Sequence, residues 1–327
     1  MELKRKIIKY CTTLGLDTVG FTKCRKLVEL EKLLLYRKDK GLENEFEEKN
    51  IEKRINPNMY FYGGKAIISI AFPYIFTNSI NKKNMYFSKY TLGMDYHRVV
   101  SNYLNKICIY IQSIGGRAKY FVDSNALPER YIANLCGIGF IGKNNMLITK
   151  KYGSYVFLGE IITDIDLEED KKIYCKCGTC KLCIDKCPTK AINTNTCNTN
   201  ICLSYITQRK NIEDIWFDKF NGRIFGCDTC QNICPYNREV SYSNINDFTP
   251  YDFMENIDVD ELIRMDNKSF KNKYAKTSCG WRGKNILIRN ALINKISKDK
   301  VNTTENKPFK SEYLNDYYSR LLRVYKL

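Results

Sequence analysis

The sequence lacks any apolar run as long as a membrane-spanning helix, which needs about 18 residues. Its longest apolar stretches, AIISIAF and YVFLGEII, are short and predict buried strands. The first residues, MELKRKIIKYCTTLG, also lack the apolar segment and the small-residue cleavage site of a secretory signal. These absences argue against a membrane protein and against secretion, so we expect a cytoplasmic protein without a membrane partner.

Acidic side chains are also scarce, because 36 Asp and Glu stand against 53 Lys and Arg, which gives a formal charge of +17. Such a surface favours polyanionic partners, of which nucleic acid is the commonest. The alternative is a compositional bias, since the chain is rich in Lys, Asn and Ile together. A hydrophobic content of 44% over 327 residues predicts a folded protein of two or three domains.

The stretch GIGFIGKNNM (137–146) lacks the surroundings of a nucleotide-binding motif. It contains the G-x-G-x-x-G of a dinucleotide turn and most of a P-loop, but Asn144 stands where Ser or Thr would bind magnesium. Both motifs need a strand before the glycines and a helix after them. Here PERYIANLC predicts a preceding helix that Gly137 ends, and NMLIT predicts a following strand. We therefore predict a helix-to-strand loop, and neither NAD nor ATP.

Three regions follow from the composition. Helical and strand patterns alternate over residues 1–168, which predicts an α/β (α+β) domain. The charged linker LEEDKKI leads into a cysteine-rich block within residues 169–245. Residues 246–327 contain the helical patterns VDELIRM, NILIRNALINKI and SEYLNDYYSRLLRVY, which predict a helical C-terminal region.

Cysteine, in contrast, is abundant: the chain has 15, and many of them fall between Cys175 and Cys234. In a reducing compartment such crowding indicates metal rather than disulfides. The run C-x2-C-x2-C-x3-C-P from Cys177 is typical of two-cluster bacterial ferredoxins, and C-x2-C-x3-C-P follows from Cys227. Zinc is the alternative, but it usually pairs two C-x2-C knuckles.

We therefore predict a bacterial ferredoxin-like domain with two [4Fe–4S] clusters. The fourth cysteine of each run reaches the other cluster, and Cys202 is the best spare thiol for the shorter run. The predicted ligands of the first cluster are Cys177, Cys180, Cys183 and Cys234. Those of the second are Cys187, Cys202, Cys227 and Cys230. Cys175 and Cys197 lie outside the pattern.

Ordered blocks along the chain resemble the epoxyqueuosine reductases, cobalamin- and iron–sulfur-dependent enzymes that complete queuosine in tRNA. The blocks are IEKRINP, LGMDYH, VDSNALPER, GIGFIGKNNMLIT, YGSYVFLGEIIT, CGTCKLCIDKCPTKAI, CLSYIT, GRIFGCDTCQNICPYN and WRGKNILIRNA. They run from about residue 10 to about residue 295. Beyond them the similarity fades, which implies a shortened HEAT-like tail in place of the later helical repeats of the family.

The resemblance implies base-off cobalamin, without a protein histidine ligand, between the front domain and the clusters. Reduced cobalt would attack the epoxide, Asp123 would protonate the opening oxygen, and loss of water would leave the alkene. The implied cobalamin contacts are Arg54, Ser88, Asp123, Leu147, Thr149, Leu158, Ser204, Cys227 and Asp228. Arg130 would contact the tRNA. An external ferredoxin or flavodoxin would supply electrons, and we expect a monomer.

The residues themselves allow other interpretations. Asp123 should have a raised pKa if it is buried beside an apolar cofactor, but it could instead begin an Asx turn. His97, the only histidine, begins a pattern like the D-x-H-x-x-G of cobalamin-ligating proteins, but Val100 replaces the glycine. A packed or hydrogen-bonded histidine is therefore favoured over a cobalt ligand. Arg54 could be a solvated charge at a helix end.

The leading hypothesis is the reduction of epoxyqueuosine to queuosine in tRNA. A corrinoid and iron–sulfur reductase of a small molecule, like the reductive dehalogenases, is the second. A non-catalytic two-cluster electron carrier is the third, and it needs neither cobalamin nor Asp123.

Overall fold

The structure is a computed structural model that describes residues 2–76, 85–193, 196–300 and 309–327. Its α-helices are α1 (Glu2–Thr13), α2 (Glu31–Asp39), α3 (Ile51–Ile55), α4 (Tyr96–Ser113), α5 (Glu129–Leu135), α6 (Leu182–Lys186), α7 (Leu203–Ile206), α8 (Thr229–Asn232), α9 (Asp252–Glu255), α10 (Val259–Ile263), α11 (Asn267–Asn272), α12 (Lys284–Asp299) and α13 (Glu312–Tyr325). Its strands are β1 (Val19–Lys23), β2 (Ala66–Pro73), β3 (Tyr86–Phe87), β4 (Ala118–Phe121), β5 (Gly139–Ile141), β6 (Leu147–Thr149), β7 (Val156–Thr163) and β8 (Arg223–Phe225).

A four-stranded antiparallel sheet of order β1-β2-β7-β4 forms the centre of the front region. Successive side chains of a strand point to opposite faces. Ile68 and Ile70 of β2 accordingly pack in one core with α1 and α4, whereas Ile67 and Ala71 pack in another with α2 and α5. The predicted mixture of helices and strands is therefore confirmed, as a sheet between two helical layers.

The glycine-rich stretch is not the plain loop that its sequence predicts. Gly137 does end α5, with a φ of 70°, but residues 139–141 form β5 and pair antiparallel with β6. A Cβ on Gly139 would lie 2.5 Å from the Ile148 carbonyl oxygen, so the close pairing of this hairpin requires glycine. The sequence-based prediction missed a strand because three residues give no readable period.

The cysteine-rich block contains little regular structure. Between Cys175 and Cys234 the chain has the short helices α6, α7 and α8, several 3-10 turns and β8. β8 pairs in parallel with β3, which belongs to the front region. The block is therefore tied to the front region by backbone hydrogen bonds as well as by side chains.

The C-terminal helices share a hydrophobic core with the block. α12 is buried along most of its length, including three polar residues. Asn290 donates to the carbonyls of Thr207 and Ile224 at 2.7 Å each, and Arg289 donates to the Arg209 carbonyl at 2.6 Å. Buried polar groups must be hydrogen-bonded. The side chains of α12 therefore supply donors to backbone carbonyls of the cysteine-rich block that would otherwise be unsatisfied.

Over the residues with described coordinates, no helix combines the length and the apolar character that crossing a membrane requires.

Candidate active site and cluster sites

Asp123 lies two residues beyond the end of β4, at the N-terminus of α4. Its backbone has a φ of 45°, a left-handed conformation that Asp adopts more readily than most residues. The Tyr96 hydroxyl donates to Asp123 Oδ2, and His97 Nε2 lies 3.2 Å from the same oxygen. A helix N-terminus favours nearby carboxylates. A phenol and an imidazole therefore both contact one oxygen of the Asp123 carboxylate.

His97 connects two carboxylates. Asp95 is the N-cap of α4 and accepts from the His97 backbone N–H at 3.1 Å, while His97 Nδ1 lies 2.9 Å from Asp95 Oδ1. Hydrogen bonds to Asp123 and Asp95 raise the pKa of His97 to about 9. The ring is thus a cation at neutral pH with both nitrogens engaged, which agrees with a hydrogen-bonded histidine rather than a cobalt ligand.

The pKa of Asp123 is lowered in this structure, whereas the raised pKa was expected for burial beside an apolar cofactor. Desolvation raises it, but the hydrogen bonds from His97 and Tyr96 outweigh this, so the pKa lies below its ordinary value. In this pair the proton therefore resides on His97, for which the sequence favours a packed or hydrogen-bonded role. The signal available was DYH at a helix start.

Two further carboxyls lie next to Asp123. Glu129 Oε1 accepts from the Asp123 backbone N–H at 2.5 Å and from Asn125 Nδ2 at 3.2 Å. Burial and the charge of Asp123 raise the pKa of Glu129 to about 8. Glu160 of β7 is fully buried, accepts from Ser69 at 3.1 Å and leaves its second oxygen without a partner. Burial raises its pKa well above the ordinary value.

Arg130 and Lys143 connect the β5–β6 hairpin to its surroundings. Arg130 donates to the Asn145 carbonyl in the turn of this hairpin. On the same turn, Lys143 donates to the carbonyls of Gly178 and Cys180 at 2.6 and 3.0 Å. The lysine that resembles a P-loop residue thus binds the first cysteine loop, with no phosphate required.

Of the residues with an implied cobalamin role, Ser88 and Asp228 meet directly. Both are buried, the Ser88 hydroxyl donates to Asp228 Oδ1, and the Lys89 backbone N–H donates to the other oxygen at 2.9 Å. Cys227 precedes this carboxylate and accepts from Arg223 Nε at 3.3 Å.

The other residues with this implied role are more dispersed. Leu147 and Thr149 are buried in β6, and Leu158 is half-buried in β7. Ser204 lies in α7, where its carbonyl accepts from Gln208 at 2.8 Å. Arg54 is not a solvated helix-end charge, because it pairs with Glu43 at 2.8 Å.

Four thiols line a cavity of about 220 Å³ beside Lys143 and Ile148. They are Cys177, Cys180, Cys183 and Cys234, the ligands predicted for the first cluster. Burial raises the pKa of Cys183 and Cys234. Thiols of this kind become ligands when a positively charged metal centre offsets the cost of ionisation.

The second set is also gathered, around a small hydrophobic cluster. Cys187, Cys202 and Cys230 pack together there with Cys183 and Cys197. Cys227 lies near enough to raise the pKa of Cys202 and Cys230, after burial, which is the larger cause. In the parts of the chain with described coordinates, no three His, Cys, Asp or Glu side chains converge as ligands of a single metal ion.

Comparisons with known proteins agree with this arrangement. The family model described as a 4Fe-4S double cluster binding domain matches residues 176–237, and that of Epoxyqueuosine reductase QueG, DUF1730, matches residues 54–124. The epoxyqueuosine reductase of Lactococcus garvieae is 36% identical over 302 residues, which cover 89% of this chain and 86% of the relative. That of Bacillus subtilis is 34% identical and covers 89% and 78%.

Solved structures match over the whole chain. The epoxyqueuosine reductase of Streptococcus thermophilus superposes with a TM-score of 0.85 at 30% identity, covering 100% of both chains. A crystal structure of epoxyqueuosine reductase with an epoxyqueuosine-modified tRNA-Tyr stem loop gives 0.90 at 29% identity, covering 100% of this chain and 99% of that one.

Proposed function

The chain belongs to the family of epoxyqueuosine reductases, and we propose that it reduces epoxyqueuosine to queuosine in tRNA, with Asp123 delivering a proton to the leaving oxygen. The observation that carries the role of Asp123 is its contact with both His97 and Tyr96 at the start of α4. The reaction consumes electrons and protons together: the epoxide carbons become an alkene, and the oxygen departs as water.

The cofactors are two [4Fe–4S] clusters, as the double-cluster domain indicates, together with cobalamin. We propose that the clusters are held by the two thiol sets described above. Bound between the front region and the cysteine block, cobalamin would supply a strongly nucleophilic reduced cobalt for opening the epoxide. The proposed contacts are Arg54, Ser88, Asp123, Leu147, Thr149, Leu158, Ser204, Cys227 and Asp228. The buried and hydrogen-bonded pair of Ser88 and Asp228 supports this proposal, because it holds a polar group in a fixed position.

The proton is held by the pair of His97 and Asp123 rather than by Asp123 alone. His97 carries it on Nε2 at neutral pH, 3.2 Å from Asp123 Oδ2. As the substrate oxygen gains negative charge, His97 Nε2 gives its proton to Asp123, and Asp123 delivers it to that oxygen, which leaves the His97 ring neutral. Tyr96 fixes the carboxylate, and Glu129 fixes the loop through the Asp123 N–H.

The substrate nucleoside lies in a single-stranded loop, where a protein can accept an unstacked base without melting a duplex. A formal charge of +17 favours the phosphates around it. Arg130, near Asp123 at the start of α5, is proposed to contact the RNA. An external ferredoxin or flavodoxin is proposed as the electron donor.

The decisive experiment is mass spectrometry of nucleosides from epoxyqueuosine-bearing tRNA, incubated anaerobically with reconstituted protein and a reductant, with and without cobalamin. We expect cobalamin-dependent conversion to queuosine. Asp123→Asn should lower the rate by about 1,000-fold, within the range for loss of a general acid, because the amide keeps the shape but cannot relay the proton.

Asp164→Asn is the matched control, since this carboxylate pairs with Arg117 at the opposite end of β4 and should be dispensable. Wild-type protein that contains both clusters and cobalamin but forms no queuosine would contradict the proposed function. It would favour a small-molecule reductase or an electron carrier.

A further inference from the structure

An exposed group of aromatic rings and a guanidinium joins the front region to the C-terminal region. The Phe46 and Trp281 rings meet edge to face with centroids 5.3 Å apart. The Arg282 guanidinium lies 4.7 Å from the Trp281 ring centroid and 5.4 Å from that of Phe46. Trp281 is 57% exposed and Phe46 is 43% exposed. We call Phe46, Trp281 and Arg282 the aromatic platform.

The aromatic platform is anchored from beneath. Phe46 also packs edge to face on Tyr205, a buried residue of α7, with centroids 5.2 Å apart. Arg282 Nε donates to the Gln208 carbonyl at 2.6 Å. These contacts hold large apolar surfaces in place at the solvent boundary, although exposing aromatic surface is unfavourable for a protein without a partner there.

The position of the aromatic platform relates it to the site. Glu47, which follows Phe46, accepts from Arg37 at 3.1 Å and pairs with Arg54 at 3.4 Å. It also accepts from Thr199 at 2.7 Å in the cysteine block. Glu47 lies near enough to Arg130 for their charges to interact. The platform therefore adjoins the edge at which Arg130 is proposed to contact RNA.

The Arg282 guanidinium gives the aromatic platform a cation that suits an anionic partner. The carboxylates nearest along the chain are engaged: Glu43 and Glu47 pair with arginines, and Glu45 hydrogen-bonds Tyr205. Among the residues with described coordinates, Arg282 donates from Nε to the carbonyl described above and from neither of its other nitrogens. An exposed indole with an adjacent guanidinium is the combination on which unpaired nucleobases stack.

We propose that the aromatic platform stacks an unpaired base of the tRNA loop that neighbours epoxyqueuosine. This inference rests on the proposed function and adds a binding determinant to it. The stacked base would fix the loop in register while the modified nucleoside enters the site. Stacking on an aromatic side chain tolerates any base, so the platform contributes affinity rather than sequence preference.

The test measures binding of a fluorescent epoxyqueuosine stem loop to cluster-loaded protein by anisotropy. Trp281→Ala should weaken binding by about tenfold and raise KM while kcat at saturating RNA stays unchanged, whereas Trp281→Phe should restore most of the affinity. A second stem loop carries abasic sites on both sides of the modified nucleoside. With this probe the difference between wild type and Trp281→Ala should vanish.

Tyr242→Ala is the matched control, because Tyr242 is 54% exposed and lies in a different segment, next to the backbone contact of Ser241 with Lys151. Equal binding by wild type and Trp281→Ala would overturn the inference, and so would a loss that persists on the abasic probe. A rate loss seen only with a protein electron donor would assign the platform to that donor instead. The wild type could convert no epoxyqueuosine while Trp281→Ala still weakens binding only when the neighbouring bases are present. In that case the proposed function fails and the stacking inference stands.

Discussion

The cysteine block and the Asp123 corner are built in opposite ways. In the block, the thiols are held by short helices, turns and one short strand, and most of them come from closely spaced positions. Asp123 and Tyr96 are 27 residues apart in the sequence, and they meet only because β4 ends beside the start of α4. The ligands of a cluster are closely spaced in the sequence. The groups that transfer a proton are distant in the sequence, and the packing of a sheet against a helix brings them together.

The two sites also differ in how their charges are balanced. Burial raises the pKa of Cys202 to about 12, so that thiol ionises only with a metal centre beside it. The Asp123 corner needs no added ion, because the cationic His97 lies between the carboxylates of Asp95 and Asp123. We therefore expect the block to depend on iron for its order and the corner to form without it.

Loss of one cluster ligand should have the largest effect. Cys180→Ala removes a thiol from the 220 Å³ cavity, so the protein should lose about half of its iron and all measurable conversion of epoxyqueuosine. Cys175→Ala is the control, because Cys175 is exposed and is absent from the lining of that cavity. Iron analysis and nucleoside mass spectrometry measure both. Unchanged iron in Cys180→Ala would reject the proposed ligand set.

Loss of His97 should have an intermediate effect with a distinctive pH dependence. His97→Gln should lower the rate by about 100-fold while leaving the iron content unchanged. The raised pKa of about 9 means that wild-type activity falls as pH rises through that value. The stabilising contribution is complete below 6.5, the ordinary pKa, and is lost as pH rises through about 9.

Rate and thermal stability measured against pH should therefore both lose this alkaline transition in His97→Gln. A transition near pH 9 that survives the substitution would assign the titration to another group.

Sequence reasoning located the parts of the site that depend on spacing or on an end of an element. The cavity thiols have a local signal in their spacing, and Asp123 lies in the block VDSNALPER that carries the family resemblance. The lowered pKa of Asp123 depends on His97, whose side chain meets Asp123 only in the folded protein. For Arg54 the alternative to a cobalamin contact was a solvated helix-end charge, and its partner Glu43 lies in a segment without a readable period.

The fold shows the same limit. Periodic segments such as α13 and β2 are predicted close to their observed ends, but the antiparallel order β1-β2-β7-β4 and the three-residue β5 are not. Glu160 illustrates the reason. It lies within an apolar strand pattern, and only the register of β7 against β2 shows that it pairs with Ser69 and points into a core.

Glu160→Gln should have the smallest effect on the rate. It extends the comparison to a buried carboxyl whose charge is balanced by neither a metal nor a histidine. Because burial raises its pKa, Glu160 is neutral when folded but ionises above about 4.5 when unfolded. Wild-type stability should therefore fall relative to the glutamine variant as pH rises above that value, by up to about 1.4 kcal/mol per pH unit. Denaturant titrations between pH 4.5 and 8 measure the difference, and the rate should change less than about threefold. A loss of rate comparable to that of Asp123→Asn would instead mean that Glu160, in the core beneath the sheet, takes part in the proton transfer at Asp123.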